Sequence, residues 1–180
     1  MADNRFLRTD YDIQRNFILL LQSKDYNDIT VSLLVEQSLI TRPTFYDHYD
    51  NLYDLSQTII KDSLQPFIEI LEQAFDQKEK RTEDSYKIIL PKVSQTLLKE
   101  RDKYLSIRRI PLGKNSFDEQ LKEQALAIFD PYLRASNKEF EKIILSNILL
   151  GNIDYMLKTQ RIPTFTEFKS VWADIFNLMK

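Results

Sequence analysis

Apolar residues in this chain recur every three to four positions and almost never alternate, a pattern that predicts helices throughout and no sheet. The first clear stripe lies in residues 10 to 22, DYDIQRNFILLLQ, where Ile13, Phe17, Leu20 and Leu21 share one side of a helix and need a cover. The polar SKDYND ends it. Thr30 is placed to cap the next helix, whose buried side comes from Val31, Leu34 and Val35. Ser38 to Ile40 are too few for anything but a tight turn, and Thr41 then caps a third helix. Pro43 is tolerated there because an amide in the first helical turn has no intrahelical acceptor to lose. Phe45 is expected to point inward, leaving Arg42, Thr44, Tyr46 and His48 on the more exposed faces.

Asn51 and Asp54 form a capping arrangement for a long helix from Leu52 to about Gln77, which Pro66 is expected to kink or split. After the polar run DQKEKRTEDS, Thr82 or Ser85 can start a helix through about Lys99, and Pro111 with Gly113 stops a short segment beyond it. Ser116 with Glu119, Ser136 with Glu139, and Thr164 with Glu167 are S/T-x-x-E boxes, each ahead of an apolar-periodic stretch. Helices of roughly 16, 20 and 14 residues should follow them. The predicted fold class is all-α with about nine helices. Residues 1–55 form a first domain of three short helices, and residues 56–180 a second, longer helical domain.

Composition narrows the class. A chain of 180 residues, 43% hydrophobic, has enough apolar material for one or two compact domains. The absence of cysteine excludes a disulfide framework and thiolate metal sites. No run approaches 18 apolar residues and MADNRFLRTD lacks a signal-peptide core, so a soluble cytoplasmic protein is expected. With one histidine, no H-E-x-x-H and no phosphate-binding glycine loop, neither an enzyme nor a cofactor or metal is expected. The 25 basic and 27 acidic residues give no general attraction to nucleic acid, so any DNA contact must be local. Residues 1–55 sharpen that demand with five basic and nine acidic side chains, net −4, Asp47, Asp50 and Asp54 among them.

A three-helix unit whose last two helices are joined by a tight turn has the helix-turn-helix plan, in which the third helix enters the major groove. Thr30 and Thr41 stand at helix N-termini, where hydroxyls and amides can receive phosphate oxygens. Tyr46 and His48 can donate to phosphates, Arg42 can make a bidentate contact with guanine, and Thr44 can touch a thymine methyl. Arg5 and Arg8 are read as a basic arm ahead of the first helix. Structural readings stand beside these: many buried helical hairpins share the spacing, Tyr46 can wedge against the long helix, and His48 can cap that helix or satisfy a bond within the bundle.

The order of these residues carries a resemblance. TVSLLVEQSLITRPTFYDHYDNLYDL resembles the DNA-binding signature of the TetR family of bacterial transcriptional regulators, over about residues 9 to 60. Thr30, Thr44, Phe45, Tyr46, His48 and Leu55 hold signature positions, Tyr49 replaces the usual phenylalanine, and Pro43 is an accepted variant. The usual Ala-Gly-Val turn is Ser38-Leu39-Ile40, and Leu52 stands where the family commonly has a phosphate-gripping lysine. LLGNIDYMLKTQRIPTFTEF, with Gly151, Ile153, Tyr155, Ile162 and Pro163, is similar to a C-terminal segment of one branch of small members. The resemblance implies a DNA-binding head, a divergent helical domain with an often apolar effector pocket, and a homodimer built from the last two long helices. Those helices are residues 138–158 and 165–179, both broadly apolar, with Gly151 expected to permit close helix approach.

Pocket candidates are Phe67, Leu71, Tyr86, Leu90, Tyr104, Phe117, Leu121 and Phe129 in the middle helices, each equally able to be ordinary core. Arg108 and Arg109 can bind an anionic effector, pair with carboxylates or face water. The function expected is a sequence-specific regulator of double-stranded DNA with a partly palindromic operator, a repressor released by a small apolar effector. The competing reading is an interaction or co-regulator protein that has lost independent DNA binding.

Overall fold

The computed structural model describes residues 4–76, 83–133 and 135–178, with all their side chains except those of residues 76, 83–88, 135, 172, 175, 176 and 178. Among the described residues there are nine α-helices and no strand: α1 (Asn4–Ser23), α2 (Val31–Gln37), α3 (Arg42–Tyr46), α4 (Leu52–Asp76), α5 (Glu83–Lys99), α6 (Arg101–Ile107), α7 (Phe117–Phe129), α8 (Lys138–Thr159) and α9 (Phe165–Leu178). None of these helices is long and apolar enough to cross a membrane. The chain forms two compact units, one of residues 1–64 with 102–120 and one of residues 65–101 with 121–180.

In the first unit α1 buries Ile13, Phe17, Leu20 and Leu21, the stripe read from the sequence. It begins six residues earlier than that stripe, so Arg5 and Arg8 ride on helix and are not an extended arm. The extra turns have local and distant support: the Thr9 hydroxyl donates to the Arg5 carbonyl at 3.0 Å, and Phe6 stacks on His48. The side chains of Thr30 and Thr41 accept from the amides of Leu33 and Thr44, making both the N-caps their positions predict.

The turn between α2 and α3 closes as a Schellman motif. Ile40 N donates to Val35 O at 3.0 Å and Leu39 N to Glu36 O at 3.2 Å. That geometry puts the residue after the cap in the left-handed region, and Leu39 sits there at φ 54° with its side chain 93% exposed. Glycine is the usual occupant because it lacks the Cβ that clashes. Leu39→Gly therefore loses no packing and relieves about 1 kcal/mol or more of backbone strain, partly offset by the looser unfolded chain. The expected result is a melting temperature equal to or slightly above that of the parent, and a clear fall would show that Leu39 makes a contact worth more than its strain.

α4 is capped as expected: Asp54 N donates to the Asn51 side chain at 3.0 Å, and the Asp54 carboxylate accepts from Asp50 N at 3.1 Å. Pro66 does not split it, and α4 runs on as one helix to Asp76. Burial explains the persistence, since Ile59, Ile60 and Leu64 before the proline and Phe67, Ile68 and Leu71 after it are all buried. Packing of an amphipathic face outweighs the one lost amide.

Residues 102–120 join the first unit through named ties. Arg109 donates to the carbonyl of Leu21 in the last turns of α1, Asn115 to the Tyr53 hydroxyl at 2.6 Å, and Tyr104 to the Ser63 carbonyl at 3.4 Å. In the second unit α8 has no single apolar face, its charged and apolar residues being mixed around the helix. It buries Ser146, Ile153, Met156 and Leu157, and turns Phe140 and Ile143 outward at 67% and 51% exposure. Its cap is Asn137 and not Ser136, which falls inside a 3-10 turn at Ala135–Asn137. Gly151 is exposed, with nothing among the described residues within 4 Å of where a Cβ would stand, so the close approach expected of it is not made among them. The Thr164–Glu167 box ahead of α9 is fully formed, at 2.8 Å from Thr164 N to the carboxylate and 3.1 Å from Glu167 N to the hydroxyl. The bond from the Thr164 amide, with that from its hydroxyl, holds the Glu167 carboxyl below its ordinary range.

Candidate nucleic-acid interface

Five residues make α3, too few to be stable as an isolated helix, so its position depends on what anchors it. Phe45 is fully buried and supplies the anchor, with Tyr46 edge-on at 5.4 Å and Tyr49 at 6.0 Å between ring centroids. The opposite side of α3 stays exposed. Thr41, Arg42, Pro43 and Tyr46 are open to solvent, Thr44 is half-buried, and the Thr41 and Thr44 hydroxyls share a 2.8 Å hydrogen bond. Arg42 donates to the Ser32 hydroxyl on α2, so its guanidinium bridges the two helices of the motif. Thr30, Thr41, Arg42 and Tyr46 are thus exposed at the starts and along the outer side of α2 and α3, with Thr44 half-buried among them. Ser32 was not singled out in the sequence, where nothing marks a serine on α2 as the partner of an arginine on α3.

His48 is held against α1. Its side chain is 3% exposed, stacked on Phe6 with ring centroids 3.9 Å apart, and its Nδ1 lies 3.6 Å from an Asp10 carboxylate oxygen without a hydrogen bond. Nδ1, turned in against Asp10, is closed to phosphate, and donation there would fall to Nε2. The reason is the helical start of α1, which brings Phe6 and Asp10, one turn apart, over the histidine. Beside it the Tyr49 hydroxyl donates to Asp10 at 2.5 Å, and the Gln14 amide donates to Asp10 at 3.1 Å and to the Tyr49 oxygen at 3.0 Å. Burial, then the bond to Asp10, pushes the Tyr49 phenol well up from its ordinary value, so it remains a neutral donor. Of the acidic residues that opposed DNA contact, Asp54 is committed to capping α4, whereas Asp47 and Asp50 remain exposed.

A second feature lies wholly in the second unit, a cavity of about 200 Å³ whose walls are almost entirely apolar. The expected Phe67, Leu71, Leu90, Leu121 and Phe129 line it together, and Asn152 is a polar wall residue with its amide spent on the Ile148 carbonyl at 2.8 Å. α8 contributes more of the wall than the sequence suggested, through Leu145, Ile148, Leu149, Ile153 and Met156. Tyr104 and Phe117 do not belong to it. They lie in the first unit, buried against each other with ring centroids 5.8 Å apart, because α6 and the start of α7 pack there. The side chain of Tyr86 lies outside the described residues. Arg108 clasps Asp118 through two bonds of 2.6 and 2.9 Å, and Arg109 caps α1, so the two arginines serve the first unit's own structure.

No known protein-family model matches the chain. It is 38% identical over 96 residues to an uncharacterized HTH-type transcriptional regulator, YxbF, of Bacillus subtilis (strain 168). That match covers 51% of this chain and 25% of the relative's length, so the chain spans about a quarter of the curated protein it matches. Among solved structures it is similar to the dihydroxyacetone kinase operon activator DhaS, with a TM-score of 0.54 and 19% identity over 94% of this chain and 93% of that one. At that identity the likeness shows a shared fold.

Proposed function

We propose that this chain is a sequence-specific DNA-binding transcriptional regulator of the TetR type, acting as a homodimer on a partly palindromic operator. The observation that carries the reading is the exposed α3, held by a fully buried Phe45, with Arg42 and Tyr46, four apart on one side, open to solvent and Thr44 half-buried beside the Thr41 cap. The sequence relative, named as an HTH-type transcriptional regulator, and the structural one, named as an operon activator, support the same class. In this reading Arg42 and Thr44 meet base edges, while Thr30, Thr41 and Tyr46 meet phosphates. Two such heads read half-sites about 34 to 36 Å apart. The outward Phe140 and Ile143 of α8 and the exposed Val171 of α9 support residues 138–158 and 165–179 as the dimer face. A small, uncharged, apolar effector suits the cavity, whose walls offer almost no polar group to pair with a charge. Its release of a repressor from DNA is the regulatory outcome proposed.

Replacing Arg42 with alanine tests the reading where it is sharpest. Discrimination between a selected duplex and a scrambled one should fall by about 1 to 3 kcal/mol if Arg42 reads guanine. Fluorescence anisotropy across a salt series measures it, and an unchanged ratio with unchanged affinity would remove Arg42 from the interface. The exposed Asp47 and Asp50 and the net −4 of residues 1–55 favour a second reading, a co-regulator that reaches DNA through another protein. Indistinguishable binding of matched and scrambled duplexes by the parent protein would support it.

A further inference from the structure

The head carries few cations, and two of them, Arg5 and Arg8, stand on the first turns of α1. Their spacing of three puts both on one helical face, while Phe6 and Asp10, four apart, share another. That second face meets His48: the Phe6 ring lies on the imidazole at 3.9 Å and 20°, and Asp10 faces its Nδ1. Asp10 also holds Tyr49, the next residue in the chain, through the tyrosine hydroxyl. The N-terminal turns of α1 are therefore pinned to the segment that immediately follows the exposed α3.

Resting on the DNA-binding reading above, we propose that His48 is a positioning residue which seats Phe6 by stacking, and that this seat carries Arg5 and Arg8 to the phosphates flanking α3. The histidine contributes a flat ring and no bond to DNA. In a head with net negative charge, two cations of fixed position supply backbone attraction that a freely moving N-terminus would supply only at an entropic cost.

The test separates a seat from a phosphate donor. His48→Phe keeps an aromatic ring and removes every hydrogen bond, whereas His48→Ala removes the ring as well. His48→Phe should bind a selected duplex within about twofold of the parent. His48→Ala, Phe6→Ala and the double variant Arg5→Ala/Arg8→Ala should each lose roughly tenfold or more at moderate salt, on matched and scrambled duplexes alike, with the slope of log affinity against log salt shallower by up to about two. Loss by His48→Phe equal to that by His48→Ala would overturn the proposal. A readout without DNA uses the fact that this is the chain's one histidine. Its ring-proton NMR resonances in the free protein should be displaced upfield by the Phe6 ring current and return towards ordinary positions in Phe6→Ala. Undisplaced resonances in the parent would overturn the seat whatever DNA does. Displaced resonances with no DNA binding at any salt would keep the seat and overturn both its link to phosphates and the DNA-binding reading.

Discussion

Phe45→Ala is expected to destabilise the first unit by about 3 to 5 kcal/mol, the range for emptying a fully buried phenylalanine site. The side chain is 0% exposed and is the one buried residue of α3. Without it those five residues keep no buried side chain, so the exposed surface of α3 should be lost before the rest of the unit melts. Chemical unfolding followed by circular dichroism should show the destabilisation, and DNA binding should fail at temperatures where the second unit is still helical. A loss below about 1 kcal/mol would mean that α3 is held by something other than Phe45.

The second large effect concerns assembly. Phe140→Glu combined with Ile143→Glu alters two side chains that are already 67% and 51% exposed, so in an isolated chain both changes should be nearly neutral. In the proposed dimer they bury two unpaired carboxylates on each side, at a cost of several kcal/mol and hence several decades in the dissociation constant. Sedimentation at tens of micromolar should give twice 21.4 kDa for the parent and 21.4 kDa for the double variant, with unchanged helicity. A parent sedimenting at 21.4 kDa would contradict the dimer, as would a double variant that still dimerises.

The elements that periodicity and capping can report were legible in the sequence. The stripe of Ile13, Phe17, Leu20 and Leu21 is buried, Thr30 and Thr41 are N-caps, Asn51 with Asp54 starts α4, and Thr164 with Glu167 starts α9. These signals are local, and each depends on residues within a turn or two of one another. What escaped depends on contacts between distant segments. Nothing in MADNRFLRTD says that Phe6 will lie on His48, and without that contact Arg5 and Arg8 read as a basic arm ahead of the helix. Tyr104 and Phe117 have the composition of pocket residues, but their position follows from residues 102–120 packing with the head, which tertiary ties such as Arg109 to Leu21 decide. Of the two outcomes open at Pro66, a split does not occur, because burial on both sides of the proline holds α4 together.

Leu39 shows how a departure from a pattern can carry physical content. The Schellman turn calls for a residue that accepts positive φ, the chain supplies leucine, and the turn forms regardless. Ile40 and Val35 retain the backbone bond that closes the motif, so the orientation of α3 relative to α2 survives a poor residue at its hinge.

Whether α3 reads DNA sequence directly is decided by selection from a random double-stranded library by the purified protein at low and at moderate salt, with sequencing of the recovered duplexes. Enrichment of a partly palindromic site whose half-sites are about one helical turn apart is expected, strongest at low salt and still present at moderate salt. Recovery of a library indistinguishable from the input at both salt concentrations would contradict direct reading by α3.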